Sequence, residues 1–535
     1  MTPPGLDPQR GLVAAQATRR RFLTATGAAA ALALTGELAG VRPAEALAPG
    51  SLGSAELFTL GVASGDPLPD AVVIWTRLAP EPTSPTGGMP ARPVPVQWEV
   101  AEDERFRRVV RRGSARAVPE SAHTVHVDVQ GLRPRRHYWY RFRVGSQLSP
   151  VGRTRTAPAP GEAVAELSLA VASCQAIWEG WFTAYADMAR RDHDAVLFLG
   201  DYIYEFGIDR GVRPDSAAVE NTRQTVTLDE YRHRYAQYKL DPDLQAAHAA
   251  APWIVTLDDH EVVDNWADEA HPSAPAAQFL VRRANGFRAY WEHMPLRLAQ
   301  APQGPDMQLY RRLRFGSLAE VNVLDTRQYR SDQAMGDGSK PPNPESQDPR
   351  RTLTGDRQEQ WLLDGMAGSG TTWNVIGQQN ALARLDTVAG PDVAVPMDTW
   401  DGYEGSRRRV LGGIAERGVD NVVSLGGDLH RSVASDLRLD FSDPSSPVMA
   451  SEFVGTSIAS GLDGQDLDPG GAVLLAENPH IRYCNFQRGY TSCTITPRTW
   501  KADYRVVDRV TVPDGEVSTR TTLVVEAGRP GIQES

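Results

Sequence analysis

The chain has 535 residues, 56 of them Lys or Arg and 67 Asp or Glu, for a formal net charge of −11. With 41% hydrophobic and 23% charged residues it can bury a large core, which excludes global disorder, and its length leaves room for roughly two to four domains. So acidic a chain is a poor general nucleic-acid binder, no sustained short period supports collagen or a coiled coil, and three cysteines are too few for a disulfide scaffold.

Thr18-Arg19-Arg20-Arg21-Phe22-Leu23 precedes an Ala/Gly/Leu run from Ala25 to Leu34, and Ala44-Glu45-Ala46 follows as a small-residue cleavage site, with Ala46-Leu47-Ala48 as a close rival. A charged start, a short apolar run and such a site describe a signal peptide over residues 1–46. The paired arginine before Phe-Leu resembles the twin-arginine export signal. The expectation is export by the twin-arginine machinery to a secreted or envelope-associated location. The apolar run is too short and glycine-rich to span a bilayer, and no later segment is apolar enough to do so.

From about Glu56 to Thr156 the pattern has period two. Val125, Val127 and Val129 alternate with His126 and Asp128, and Tyr138, Tyr140, Phe142 and Val144 alternate with Trp139, Arg141 and Arg143. Such runs between Gly/Pro turns predict an antiparallel β sandwich over residues 47–157. Leu132-Arg133-Pro134 before the Tyr-rich strand resembles a fibronectin type III module. The Pro-rich stretch 79–95 reads as a loop, and 156–161 as the linker.

From Leu167 the rhythm changes to apolar strands alternating with helical stretches, an α/β layered domain over residues 162–535. Strands are predicted at 167–172, 195–199, 254–257, 321–324, 373–376 and 422–425. Their sequels are Ser173-Cys174-Gln175, Gly200-Asp201-Tyr202-Ile203-Tyr204-Glu205, Asp258-Asp259-His260-Glu261, Asp325-Thr326-Arg327, Gly377-Gln378-Gln379-Asn380 and Gly426-Gly427-Asp428-Leu429-His430. In open α/β sheets that carboxyl edge is where ligands bind.

Each motif alone is ordinary turn chemistry, but four strand ends that all carry ligand side chains point to one cation site. Asp201, at a tight Gly turn, can offer both oxygens and bridge two cations. Tyr204 lies three residues on and can fold its phenol back to the same place; a phenolate suits ferric iron. Cys174 can supply a thiolate to that ion. Asp428 and His430, two apart, can address neighbouring ions, and Asp259 adds an oxygen ligand that suits calcium at a second position. Cations about 3.5–4 Å apart suit phosphoryl chemistry: one lowers the pKa of a bound water, giving hydroxide, and both clamp the phosphoryl oxygens. His260 would donate a proton to the leaving alkoxide or orient the phosphate; the alternative is a histidine hydrogen-bonded within its loop.

Ser173-Cys174-Gln175, Gly200-Asp201-x-x-Tyr204-Glu205, Asp258-Asp259-His260-Glu261 and Gly427-Asp428-Leu429-His430 resemble the PhoD-type alkaline phosphatases, exported metallophosphatases related to purple acid phosphatases. The resemblance covers nearly the whole chain beyond the export signal. It implies a four-layer αββα metallophosphatase core behind the sandwich, and hydrolysis of phosphate mono- and diesters at alkaline pH. It implies Fe3+ held by Cys174, Asp201, Tyr204 and His430, with Asp201 bridging to Ca2+ and Asp259 and Asp428 as further ligands. Purple acid phosphatases usually carry Asn at the position of Asp259 and Asp at that of Cys174. Zinc and manganese suit the set less well, since zinc has little use for a phenolate.

Further positions are less constrained. Asp325, Arg327, Tyr329 and Arg330 could reach a phosphate, Arg by a bidentate grip, or form an ion-pair network instead. Gln378, Gln379 and Asn380 could line the pocket or cap a turn, and the aromatic stretch Met397–Tyr403 could form a lid. Trp178, Trp181 and Tyr185 read as core residues of a helix. Cys484 and Cys493 flank Arg488-Gly489 in an alternating stretch, where a hairpin could bring them together as a disulfide; buried free thiols are the alternative. The leading expectation is a secreted phosphatase. One rival is a phospholipase D-like phosphodiesterase acting on phospholipid or a cell-wall polymer, and another a non-catalytic, metal-braced surface binding protein. The expected partners are a phosphate-ester substrate and the export machinery, with nucleic acid involved only as a possible substrate.

Overall fold

The computed structural model describes residues 55–207, 211–213, 223–271 and 273–534. The signal reading of residues 1–46 lies outside them. All six strands expected from Leu167 onward are present, within one or two residues. They divide into two parallel trios: Leu167–Ala172, Ala195–Phe198 and Pro252–Val255 at the centre of a ten-stranded sheet, and Ala319–Val323, Trp373–Gly377 and Val422–Gly426 in a seven-stranded one. Runs such as LSLAVA and AVLF are apolar on both faces, as parallel strands covered on both sides require.

The two sheets pack face to face. Leu169, Val171, Leu197 and Ile254 of one meet Val321, Val375, Val423 and Leu425 of the other. Helices cover both outer faces. Tyr231 and Tyr235 from helix Leu228–Lys239 and Phe287 from helix Ala276–His293 lie over Val196, Phe198 and Val255. Leu362 from helix Asp356–Gly368 and Leu411 from helix Glu404–Glu416 lie over Ile376 and Val422. The result is the four-layer αββα arrangement, with the carboxyl ends of both trios converging at one edge.

The N-terminal strands do form a sandwich, but half of it belongs to the core sheet. Strands Val94–Ala101, Val109–Ala117 and His137–Val144 lie in a separate five-stranded sheet. Strands Val62–Gly65, Ala71–Arg77 and Thr124–Gln130 instead extend the ten-stranded sheet, Ser64 and Gly65 pairing in parallel with Pro252 and Trp253. The two layers close over Val72, Ile74, Val96, Val100, Tyr140 and Phe142. Gly65 makes the junction possible: a Cβ there would lie 2.4 Å from the Pro295 carbonyl oxygen. Alternation in the sequence gives a strand's faces but not which sheet it joins.

The expected cysteine hairpin does not occur. Strand Ile481–Asn485 pairs with Ser432–Arg438 in the seven-stranded sheet, placing Cys484 opposite Val433. Strand Arg488–Ile495 lies in the ten-stranded sheet, with Cys493 between Leu169 and Ala502. The turn at 486–487 carries the chain from one sheet to the other, so Cys174, Cys484 and Cys493 are all free and buried. Nor is Met397–Tyr403 a lid: Trp400 and Tyr403 are buried in the core over the seven-stranded sheet. Of Trp178, Trp181 and Tyr185, only Tyr185 lies on a helix, Thr183–Ala189. Among the described residues, no helix is long and apolar enough to cross a membrane.

Candidate metal centre

The loops at the carboxyl ends of the strands are built around left-handed backbone. Cys174 (φ 58°), Asp201 (φ 58°), Asp428 (φ 62°) and His430 (φ 51°) adopt a conformation that side chains other than glycine seldom accept. Strain of this kind costs on the order of 1–3 kcal/mol per residue and persists only where the surroundings impose it. The surroundings are explicit here. The amides of Cys174 and Gln175 donate to the carbonyls of Gly200 and Asp201, both at 3.1 Å. The buried carboxylate of Glu261 accepts from the amides of Asp201 at 3.2 Å, Tyr202 at 2.7 Å and Asp258 at 2.8 Å, locking two loops together. Gly200 is needed for that contact, since a Cβ there would stand 2.4 Å from the Cβ of Asp258.

Three donor groups result, each with ligand atoms within 4.8 Å of one another: Cys174, Asp201 and His430; Asp201, Asp259 and His260; and Asp201, Asp258, Asp259 and Asp428. Asp201 belongs to all three. The Tyr204 hydroxyl lies 3.0 Å from Asp201 Oδ2 and 3.0 Å from His430 Nε2, and accepts a hydrogen bond from Ser460 at 2.8 Å. Thus six expected ligands, Cys174, Asp201, Tyr204, Asp259, Asp428 and His430, meet at one place.

The electrostatics of the centre call for positive charge. Burial, reinforced by Asp259, Asp258 and Glu261 against the pull of His260, pushes the Asp201 carboxyl well above its usual range. Burial and the charges of Asp201 and Asp428 push the Cys174 thiol well up, and burial with Asp201 does the same to the Tyr204 phenol. Burial raises Asp428 to about 6. Burial and Arg488 lower His430 to about 3, so its ring is a neutral donor. Asp259 is lowered: burial would raise it, but the charges of Arg327 and His260 prevail. Asp201 Oδ1 is buried and accepts no hydrogen bond, and Asp259 Oδ1, equally buried, has only the Arg327 guanidinium at 3.5 Å. Such carboxylate oxygens beside a buried thiol, a phenol and a neutral imidazole form a donor set that fits cations.

His260 is held differently. Its Nδ1 lies 2.8 Å from Glu205 Oε2, and its ring centroid 4.2 Å from that of Tyr204. Glu205 is fully buried and also accepts from the Asp264 amide at 2.9 Å. Burial alone would lower the His260 pKa, but Asp259, Asp201 and Glu205 raise it well above the ordinary histidine value.

The expected phosphate grip is corrected. Arg327 is 0% exposed, and its guanidinium is taken up by Asp258 at 2.6 Å, Asp398 at 2.9 Å and Asp259 at 3.5 Å. Arg330 spans Asp398 at 2.5 Å and Asn380 at 3.1 Å. Asp325, also buried, accepts from the amides of Arg327 and Gln328, both at 3.0 Å. These residues lie beneath the acidic floor and brace it. Asn380 donates to Asp428 at 2.8 Å, while Gln378 accepts from Trp400 at 3.1 Å and Gln379 ties Thr256 and Thr326 together. Sequence reasoning missed Ser460 and the roles of Asp258, Glu205 and Glu261, and placed Asp398 in a lid. Asp258, Glu205 and Glu261 lie inside the strand-end motifs; nothing around Ser460 marks it.

Comparison with known proteins places this geometry. The model of the PhoD-like phosphatase family matches residues 169–504, and that of its N-terminal domain matches residues 44–158. Alkaline phosphatase D of Bacillus subtilis (strain 168) is 48% identical over 518 residues, 96% of this chain and 89% of that protein. The solved structure described as the structure of PhoD superposes with a TM-score of 0.87 at 50% identity, covering 90% of this chain and 92% of that one.

Proposed function

The chain belongs to the PhoD-like phosphatase family, and on that premise we propose that this hydrolase cleaves phosphate monoesters and diesters at a ferric–calcium centre. The observation that supports the reading is Asp201, one carboxylate within ligand distance of both a mixed sulfur, nitrogen and oxygen set and an all-carboxylate set. Cys174, Asp201, Tyr204 and His430 would hold the iron. Asp201, Asp259 and Asp428 would hold calcium, with Asp258 beside them. Cations there would activate water toward phosphorus and neutralise the phosphoryl oxygens.

The chain's own residues supply positioning and a proton. Glu205 engages His260 at Nδ1 and so leaves Nε2, whose one acidic contact is the half-exposed Asp264 at 3.9 Å, as the nitrogen for substrate. In the cation-free centre the carboxylates of Asp259, Asp201 and Glu205 raise the pKa of that ring, and with cations neutralising the first two, Glu205 at Nδ1 is the group that still favours its protonated form. His260 Nε2 then gives its proton to the departing ester oxygen. Arg327 and Arg330, anchored on Asp398, hold the acidic loops at fixed spacing. Export through the twin-arginine machinery belongs to the same proposal and rests on residues 1–46.

The purified protein, assayed on a chromogenic monoester, a diester and a phospholipid with and without chelator, tests the reading. Turnover of both simple esters, lost on chelation and restored by iron with calcium, is the expected result. Turnover indifferent to chelation, or none on any ester, contradicts it. Turnover confined to phospholipid would make the chain a phospholipase D-like phosphodiesterase instead.

A further inference from the structure

Charge is segregated in this protein. Between Glu99 and Arg155 there are thirteen arginines and six acidic residues, in a chain whose net charge is −11. Part of this excess is displayed on one surface, the open face of the five-stranded sheet. Register puts Arg116 opposite Pro95, Ser114 opposite Gln97 and Arg112 opposite Glu99, and on the other side of the central strand Arg143 opposite Gln97 and Arg141 opposite Glu99. Directly opposed residues share a face, so four arginines and one glutamate stand together. The inner face of the same sheet is the apolar core of the sandwich.

Arg112, Arg116 and Arg143 are exposed. Arg141 neutralises Glu99 at 2.7 Å and Arg143 leans on Gln97 at 2.9 Å, whereas no acidic partner meets Arg112 or Arg116 among the described residues. A groove of about 350 Å³ runs over this face, lined by Gln97, Glu99, Arg112, Ser114, Arg141 and Arg143 among others. The Arg112 row and the Arg141 row stand two strand spacings apart, about 10 Å, and Arg141 and Arg143 follow each other at about 7 Å along one strand. That geometry accepts a single extended chain with charges in series. It offers little for bases to stack on, since Trp98, which borders the groove, is packed against the inner core and the Phe106 ring is already covered by the Arg141 guanidinium at 4.0 Å.

We propose that this face is a docking surface for an extended, phosphate-rich polyanion that carries no bases, separate from the metal centre. Arginine suits the role because its planar guanidinium grips phosphate oxygens in pairs. The surface lets an otherwise acidic protein, which would be repelled by such a polymer, sit down on it in one orientation.

Binding of the full chain to end-labelled inorganic polyphosphate, at several salt concentrations, tests the assignment. Wild type should bind, with an affinity that falls steeply as salt rises. The triple variant Arg112→Gln, Arg116→Gln, Arg143→Gln should bind at least ~10-fold more weakly with a shallower salt slope, while turning over a small chromogenic phosphate ester as wild type does. The control Arg190→Gln, Arg350→Gln, Arg408→Gln removes the same charge from other exposed sites and should bind as wild type does. The proposal is overturned if wild type shows no salt-dependent binding, if both triples weaken binding equally, or if single-stranded DNA of matching length binds as tightly. None of these outcomes bears on whether the metal centre hydrolyses esters.

Discussion

On one side of Asp201 the centre is made of Cys174, Tyr204 and His430, donors that burial keeps uncharged. On the other side it is made of Asp258, Asp259 and Asp428, whose negative charge is met from below by Arg327 and, through Asn380 and Asp398, by Arg330. On the first side Cys174 and Tyr204 have protons to release, so an ion bound there must draw those protons off itself, which favours a strongly polarising cation. The second side is already balanced in part by built-in arginines, which favours a cation that oxygen ligands hold without rigid geometry. The contrast explains why one carboxylate, Asp201, must serve both: it alone joins a polarisable corner to a prebalanced floor.

Removing the shared residue breaks both sides at once. Asp201→Asn should bring bound metal and turnover together to background, read by elemental analysis beside phosphate release. His260→Ala should lower kcat by about 10²–10⁴ while leaving metal content intact; equal loss of both would make His260 a ligand. Arg327→Met tests the prebalanced floor: it strands Asp258 without its counter-charge, leaves Asp398 to Arg330 alone, and should cost about 3–5 kcal/mol in denaturant unfolding, whereas Ser460→Ala, beside the polarisable corner, should cost about 1 kcal/mol.

Protein stripped of cations sharpens the comparison through pH. Asp428 has a folded pKa of about 6, above its unfolded value, so its contribution is fully present below the unfolded pKa and is lost as pH rises through 6. The Tm gap between metal-loaded and chelated protein should therefore widen between about pH 4 and pH 8, and a gap that stays flat would mean the floor is balanced without cations. The smallest effect on the fold belongs to Tyr204→Phe. It should abolish any visible phenolate–iron absorption with the Tm nearly unchanged; a band that survives would remove Tyr204 from the corner.

Much of the centre was legible because its donors sit at the ends of apolar strands of one recognisable kind. Gly200-Asp201, Asp258-Asp259-His260 and Gly427-Asp428-Leu429-His430 each follow a strand buried on both faces, and parallel strands bring such ends to one edge. What was not legible depends on contacts between distant segments. Arg327 reads as a phosphate ligand until Asp398, 71 residues on, is seen to occupy it. Cys484 and Cys493 alternate as a hairpin would, yet the turn between them changes sheets. The partner of His260 is Glu205, 55 residues earlier, and no local pattern joins them. Alternation placed the N-terminal strands correctly on two faces but could not show that half of them continue the core sheet.

The metal content of active protein, purified without added metal, tests the account most directly. Iron and calcium together, both lost with activity on chelation, is the result expected of a corner and a floor joined through Asp201. Undiminished turnover by a chain that carries neither ion would contradict it.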